Sequence, residues 1–156
     1  GNEVDVLLDK AIREEYPEVD VPLSMIRKFK ESYSYVGESE SGARVKIPVG
    51  GKPRKIEIGK QVGESCNELL QEIFESLKKV IAMASPQSVF SLLQNIILTG
   101  GGSRIRNVDQ ELQRLLSDDG YEDPEVTISS REVKPFVAIG AIKVAKAARD
   151  DQWVRL

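Results

Sequence analysis

The chain has 156 residues, 40% hydrophobic and 30% charged, which fits one domain with a packed core and excludes a disordered tail. Its formal net charge of −3 argues against a general nucleic-acid binder, which normally carries a basic surplus. Histidine is absent, which excludes Ser-His and Cys-His catalysis and His-ligated metal sites within these residues. Cys66 is the single cysteine, which excludes an internal disulfide and favours a reducing, cytosolic setting.

The N-terminal third predicts two helices and a β-hairpin. Apolar residues spaced three and four apart predict a helix over about 3–16, ended by Pro17, and a second helix over about 23–35. Alternation of polar and apolar residues over 44–49 and 55–58 predicts the hairpin. The chain begins with glycine, no signal-peptide pattern follows, and no long apolar run predicts a membrane span. We therefore expect a piece of a longer protein.

The remainder of the chain predicts an α/β arrangement. A long helix over about 60–84 is followed by a short strand over 96–98, which is entirely apolar and is expected to be buried on both faces of a parallel sheet. A helix over 107–116, a strand over 126–128 and a last helix over 136–149 come next. The buried face of the long helix is predicted to comprise Val62, Cys66, Leu69, Leu70, Ile73, Phe74, Leu77, Val80 and Ile81.

The strongest local signal is Gly100-Gly101-Gly102-Ser103, which joins the apolar strand to the helix behind it. Glycines there let the backbone turn sharply and let a flat ligand approach without Cβ contacts. The N-terminus of the following helix offers N–H groups to a polar ligand edge. The pattern is neither a P-loop nor a dinucleotide fingerprint, since Ile105 stands where the last glycine should be. From the residues alone, a tight turn without a ligand is an equal alternative.

A second candidate site lies on the second helix. Arg27, Lys30 and Glu31 are three to four residues apart and could reach one ligand. Taken alone, they are better explained as a solvated helix face with a local ion pair. Lys134 carries no information by itself. Cys66 falls on the apolar stripe and is predicted to be a small core residue rather than a nucleophile.

In their order along the chain, these signals resemble the C-terminal half of the actin superfamily. Phe29-Lys30-Glu31 precedes a long helix, and Ile96–Ser103 then matches the superfamily's adenosine motif. Lys134, followed by Val137–Ala141, is similar to the segment that lays a lysine beside the base. Segments such as Phe-Lys-Glu-Ser-Tyr-Ser-Tyr-Val-Gly resemble the MamK family of magnetosome filament actins more than the cell-shape actin MreB.

The resemblance implies an actin-like ATPase fold of the ribonuclease H-like type, with ATP or ADP in a cleft and Mg²⁺ held by the nucleotide phosphates and the other half of the protein. Adenine would lie over the glycine turn, lysine and glutamate would hold the sugar and base edge, and a second lysine would close the pocket. Arg104 and Ile105 replace the Met-Tyr pair of eukaryotic actin, so adenine packing would differ in detail. The nucleotide-binding residues implied in this way are Arg27, Lys30, Glu31, Gly100, Gly101, Gly102, Ser103, Arg104, Ile105 and Lys134.

The phosphate loops and Mg²⁺-positioning acids would belong to the other half. No catalytic residue is therefore named, and these residues alone are expected not to hydrolyse ATP.

The same resemblance implies subdomain IIB over residues 1–60, subdomain IIA over 61–135 and a return helix over 136–156 that packs on the other half. Contacts between IIB and IIA of successive copies would build a filament. The implied function is a cytoplasmic bacterial cytoskeletal ATPase that aligns or positions magnetosomes. Its implied partners are other copies of itself in a filament and magnetosome-associated adaptor proteins. Neither a nucleic-acid partner nor a transmembrane segment is expected. A small-molecule kinase of the superfamily, a cell-shape actin of the MreB type and a pseudo-actin that does not hydrolyse ATP are the alternatives. The compact IIB segment with a single hairpin favours the filament class.

Overall fold

A computed structural model of the chain describes residues 2–38, 42–129 and 134–147. Its elements, in chain order, are α1 (Asn2–Glu15), α2 (Leu23–Tyr33), β1 (Arg44–Val49), β2 (Lys52–Glu57), α3 (Gly59–Met83), α4 (Pro86–Leu93), β3 (Ile96–Leu98), a 3₁₀ turn (Gly102–Arg104), α5 (Val108–Asp118), β4 (Val126–Ile128) and α6 (Lys134–Ala147). None of the helices in these described ranges is both long and apolar enough to cross a membrane.

The main core lies where α1 and α2 pack against α3. Val4, Leu8 and Ile12 recur every four residues along α1 and are almost completely buried. Ile26 and Phe29 of α2 are buried in the same cluster. The three-and-four spacing therefore predicted both helices and their inward faces correctly, because a helix can bury only the stripe that its periodicity makes apolar.

The predicted hairpin is present, and its two strands pair antiparallel along their whole length. Gly50 and Gly51 form the two-residue turn with φ of 55° and 78°. Positive φ at both positions defines the turn type that matches the twist of paired strands, and glycine adopts it without steric cost. Val45, Ile47 and Ile56 face the core. The second strand begins at Lys52, three residues earlier than the alternation predicted.

The long helix α3 has 25 residues and connects the two parts of the chain, since it packs against α1 and α2 and also against α5. Its predicted buried face is confirmed with one exception: Val80 is 58% exposed. Helix α4 was not predicted. Pro86 does end the long helix, but it also occupies the first turn of α4, where its fixed φ and missing N–H are tolerated.

The short strand β3 pairs parallel with β4, and α5 connects them. The prediction of a strand buried on both faces is wrong for the described residues, because Ile97 is 61% exposed. In these ranges β3 has a single partner strand, and one face of the pair stays open. The turn after β3 therefore lies at the carboxyl end of a parallel strand, where α/β folds commonly place ligands.

The last predicted helix is present as α6, which begins two residues earlier than expected. Ile139 and Ile142 on this helix are exposed rather than packed. The predicted continuation to Arg149, like the rest of the C-terminal segment up to 156, lies outside the described residues. The division into subdomains at residues 60 and 135, and the packing of the return helix on another half, stay predictions.

Candidate functional site

The glycine turn reverses the chain between β3 and α5. Gly100 has φ +86°, a left-handed conformation that glycine adopts most easily. The Ser103 hydroxyl donates a hydrogen bond to the Gly100 carbonyl at 2.9 Å, and Ser103 is 5% exposed. Gly100 and Ser103 therefore shape the turn itself, which accounts for two of the predicted site residues without a ligand.

Neither the backbone conformation nor the packing of the turn requires glycine at positions 101 and 102. Gly101 has φ −65° and ψ −36°, values that every L-residue adopts readily. A Cβ added at either position would meet no atom within 4 Å. Of the two explanations that the sequence left open, the tight turn accounts for Gly100 and does not account for Gly101 or Gly102. The space beside Gly101 and Gly102 is open to an outside group.

A cavity of about 620 Å³ lies beside the turn. It is lined by Ser103, Arg104, Ile105, Arg106, Asn107, Asp109, Gln110 and Ile128. Arg104 is exposed, whereas Ile105 is only 7% exposed and forms part of the floor. The side chains that face this space are mostly polar, with a carboxylate, amide and guanidinium groups, and Ile105 and Ile128 form its apolar part.

The turn is tied by backbone hydrogen bonds to the end of α2. The Val36 N–H donates to the Arg106 carbonyl at 3.1 Å, and the Arg106 N–H donates to the Ser34 carbonyl at 3.3 Å. The Arg106 guanidinium also donates to the carbonyls of Ser34 and Tyr33, at 3.4 and 3.5 Å. These bonds place the end of α2 and the segment that follows it beside Arg106, two residues after the 3₁₀ turn.

Sequence reasoning missed Arg106 and Asn107. Both line the cavity and a smaller neighbouring one of about 260 Å³. Asn107 has φ 63° and directly precedes α5. A basic residue and an asparagine between the glycine run and the next helix were the available signal, since asparagine tolerates the left-handed conformation that ends such a turn.

The cations of α2 converge on one carboxylate. Arg27 Nε lies 3.1 Å from Asp5 Oδ2, and Lys30 Nζ lies 2.5 Å from Asp5 Oδ1. The Asp5 side chain is 3% exposed and needs these partners, because an unpaired buried charge is costly. The spacing placed Arg27 and Lys30 on one face of α2, and both contact Asp5 of α1 there. That they and the exposed Glu31 reach one ligand stays a prediction.

Lys134 is the first residue of α6, and its assignment to a nucleotide stays a prediction. Cys66 is 1% exposed in the core, and burial raises the pKa of its thiol. The prediction of a core residue is confirmed. A raised pKa keeps the thiol protonated at neutral pH, the opposite of what a nucleophile requires.

The described elements define part of an actin-like fold. The hairpin and the helices α1 and α2 are joined through the long helix α3 to a β3–α5–β4 unit that contains the glycine turn. A solved MamK double helical filament has a TM-score of 0.84 to this chain at 31% identity, covering 95% of this chain and 45% of that chain. A solved non-polymerising MamK mutant bound to AMPPNP has a TM-score of 0.82 at 30% identity, covering 93% and 44%. The chain belongs to the MreB/Mbl protein family, whose profile matches residues 1–152.

Among curated relatives, the chain is 33% identical to the actin-like protein MamK of Paramagnetospirillum magneticum. The match covers 100% of this chain and 44% of that protein, so the chain spans less than half the length of this relative.

Proposed function

We propose that this chain is the adenosine-binding half of a filament-forming, actin-like ATPase. The observation that carries the proposal is the pair Gly101 and Gly102. Neither position needs glycine for its backbone or for internal packing, and both border open space in the turn whose next two residues, Ser103 and Arg104, line a cavity. A glycine at a position where folding does not require one is explained by an outside group that approaches the backbone closely.

In this proposal the adenine of ATP or ADP lies against Gly101 and Gly102, with Arg104 and Ile105 beside it. Ile105 supplies an apolar surface, and Arg104 supplies a planar cation that can stack on a base. The Ser103 hydroxyl donates to the Gly100 carbonyl and so shapes the turn, which leaves its acceptor lone pairs for a ligand.

Lys30, Glu31 and Lys134 are proposed to hold the sugar and base edges, with Arg27 adding positive charge. An ammonium group has three donors, so Lys30 can pair with Asp5 and contact a ribose or base at the same time. The exposed Glu31 carboxylate can accept hydrogen bonds from ribose hydroxyls.

ATP hydrolysis is proposed for the complete protein and not for these residues alone. Mg²⁺ would be held by the nucleotide phosphates and by groups outside this chain. Within the described ranges, no group of three or more Cys, Asp or Glu side chains lies close enough together to hold a metal ion. The contribution of this chain is therefore binding and orientation of the adenosine end.

Self-association into cytoskeletal filaments in the cytoplasm completes the proposal. Its support is the similarity to a MamK filament over 95% of the chain. A role in aligning magnetosomes, together with magnetosome-associated adaptor proteins, is part of the same proposal and depends on the identity to MamK.

Gly101→Val in the complete protein tests the nucleotide assignment. Because the backbone at Gly101 suits any L-residue and the Cβ meets no atom, valine should change the melting temperature little. The side chain would occupy the space that the base needs, so we expect at least about a hundredfold loss of affinity for ATP, measured by calorimetry, and no ATP-dependent pelleting.

Gly101→Ala is the matched variant and should show an intermediate loss, since a methyl group fills less of the same space. Gly100→Val is the structural control. It should destabilise the fold, because a β-branched residue at φ +86° is strained by about 1–3 kcal/mol. A folded Gly101→Val protein that binds ATP normally would refute the nucleotide assignment.

A further inference from the structure

The segment that follows α2 and the segment that follows the glycine turn meet at Arg106. The Arg106 N–H donates to the Ser34 carbonyl at 3.3 Å, and the Arg106 carbonyl accepts from the Val36 N–H at 3.1 Å. Together these two bonds form an isolated parallel bridge. Among the described residues, no other backbone hydrogen bond joins residues 2–83 to the part of the chain from residue 86 onward. Arg106 is therefore where the backbone of one part is fixed to the backbone of the other.

The Arg106 side chain adds two hydrogen bonds to the same region. Its Nε donates to the Ser34 carbonyl at 3.4 Å, and its Nη2 donates to the Tyr33 carbonyl at 3.5 Å. Tyr33 is the last residue of α2, so both carbonyls lie at the helix end, where no N–H of the helix itself can reach them. A cation at this end also interacts favourably with the helix dipole. Arg106 thus holds the end of α2 from outside the helix.

The end that Arg106 holds is the last turn of α2, which carries two of the proposed nucleotide-binding residues. Lys30 and Glu31 come three and two residues before Tyr33. At 1.5 Å per residue, Lys30 is about 4.5 Å along the helix axis from that end. The Ser34 N–H donates to the Lys30 carbonyl at 2.9 Å, so a displacement of Ser34 also displaces Lys30.

Arg106 is fixed just as closely to the glycine turn. The Arg104 N–H donates to the Gly101 carbonyl at 3.2 Å, and the Ile105 N–H donates to the Gly102 carbonyl at 3.1 Å. Arg106 is the next residue and lines both the cavity beside the turn and its smaller neighbour. A single residue is therefore continuous with the turn and hydrogen-bonded to the end of α2.

We propose that Arg106 is a positioning residue for nucleotide binding, which holds Lys30 and Glu31 at the distance from the glycine turn that one adenosine spans. The inference rests on the proposed function and adds a residue that acts through Lys30 and Glu31. Arg106 is exposed, and net contributions of such hydrogen bonds to stability are small. Its effect should therefore appear in affinity, because groups already held in the bound arrangement need not be ordered when the ligand binds.

The test is a double-mutant cycle in the complete protein, with ATP affinity measured by calorimetry at a temperature where circular dichroism shows the variants to be folded. Arg106→Ala should lower the affinity about tenfold. Lys30→Ala should lower it roughly 10- to 150-fold in the wild-type background, but only about threefold or less in the Arg106→Ala background. The reason is that a lysine that is no longer held in place contributes little to binding.

Arg104→Ala is the matched control, because Arg104 carries the same charge, lines the same cavity and is proposed to contact the base directly. Its effect on affinity should multiply with that of Lys30→Ala. Arg106→Lys keeps the charge but lacks the planar group that reaches two carbonyls at once, so it should also reduce the effect of Lys30→Ala. This second variant completes the cycle if Arg106→Ala does not fold.

Two results would overturn the positioning role while ATP binding by the wild-type protein stays intact. Arg106→Ala could bind ATP with wild-type affinity, or its effect could simply multiply with that of Lys30→Ala. A direct contact with the nucleotide, or a general loss of stability, would give the second result, because either would leave the contribution of Lys30 unchanged. If the wild-type protein binds no ATP, the proposed function fails and this inference fails with it.

Discussion

Gly63→Ala tests how closely α3 approaches the segment that carries the candidate site. A Cβ at Gly63 would lie 2.5 Å from the Tyr35 Cζ and closer still to its hydroxyl oxygen, and Tyr35 is 6% exposed. The ring must move, which breaks the hydrogen bond from the Tyr35 hydroxyl to the Gly59 carbonyl at 3.1 Å. Overpacking costs about 1–3 kcal/mol and the lost bond about 0.5–1.5 kcal/mol. The higher helix propensity of alanine offsets about 1 kcal/mol.

The expected net loss is therefore about 0.5–3.5 kcal/mol in the free energy of unfolding, measured by urea denaturation of the complete protein. Gly59→Ala is the matched control, because a Cβ there comes no closer than 3.4 Å to its neighbours. Tyr35→Leu removes the ring atoms that clash, so in that background Gly63→Ala should be neutral or slightly stabilising. A Gly63→Ala protein within about 0.5 kcal/mol of wild type, or strict additivity with Tyr35→Leu, would refute the close approach.

Lys30→Ala should weaken ATP binding by roughly 10- to 150-fold, the loss of a charge-assisted hydrogen bond worth about 1.5–3 kcal/mol. Because Lys30 also neutralises Asp5, Asp5→Asn is the control for that pairing, and an unchanged dissociation constant in Lys30→Ala would contradict the role. Cys66 should react with a thiol reagent on the order of a hundredfold more slowly in the folded protein than in urea, since burial raises the pKa of its thiol. A comparable rate in both states would contradict its place in the core.

Local patterns were sufficient for most of the elements. The four-residue spacing of Val4, Leu8 and Ile12 predicted α1 because a helix repeats every 3.6 residues. The alternation over 44–49 and 55–58 predicted the hairpin because successive side chains of a strand point to opposite faces. The glycine run also located the turn after β3, where Gly100 adopts a positive φ. These predictions depend only on interactions between residues close in the chain.

The errors concern contacts that periodicity does not report. Val80 and Ile97 are apolar at the expected positions, yet both are exposed, because a pattern indicates an apolar face and not the surface that covers it. Pro86 follows the end of α3 and also occupies the first turn of α4, a position that proline favours and that the spacing of apolar residues does not indicate. Asp5 stands beside the apolar stripe of α1, and its two partners are more than twenty residues away. The spacing of residues along α2 therefore does not indicate that Arg27 and Lys30 pair with the Asp5 carboxylate.

The Asp5–Arg27–Lys30 cluster also constrains how this sequence can change over generations. Loss of the carboxylate would leave two cations facing each other, and loss of either cation would leave a buried negative charge with one partner. An apolar replacement of the whole cluster can be neutral or stabilising, but each single step toward it passes through an unpaired charge. The three positions should therefore vary together among relatives, and substitutions at one should be accompanied by substitutions at the others. A covariation signal linking α1 to α2 would record a constraint that no single helix displays.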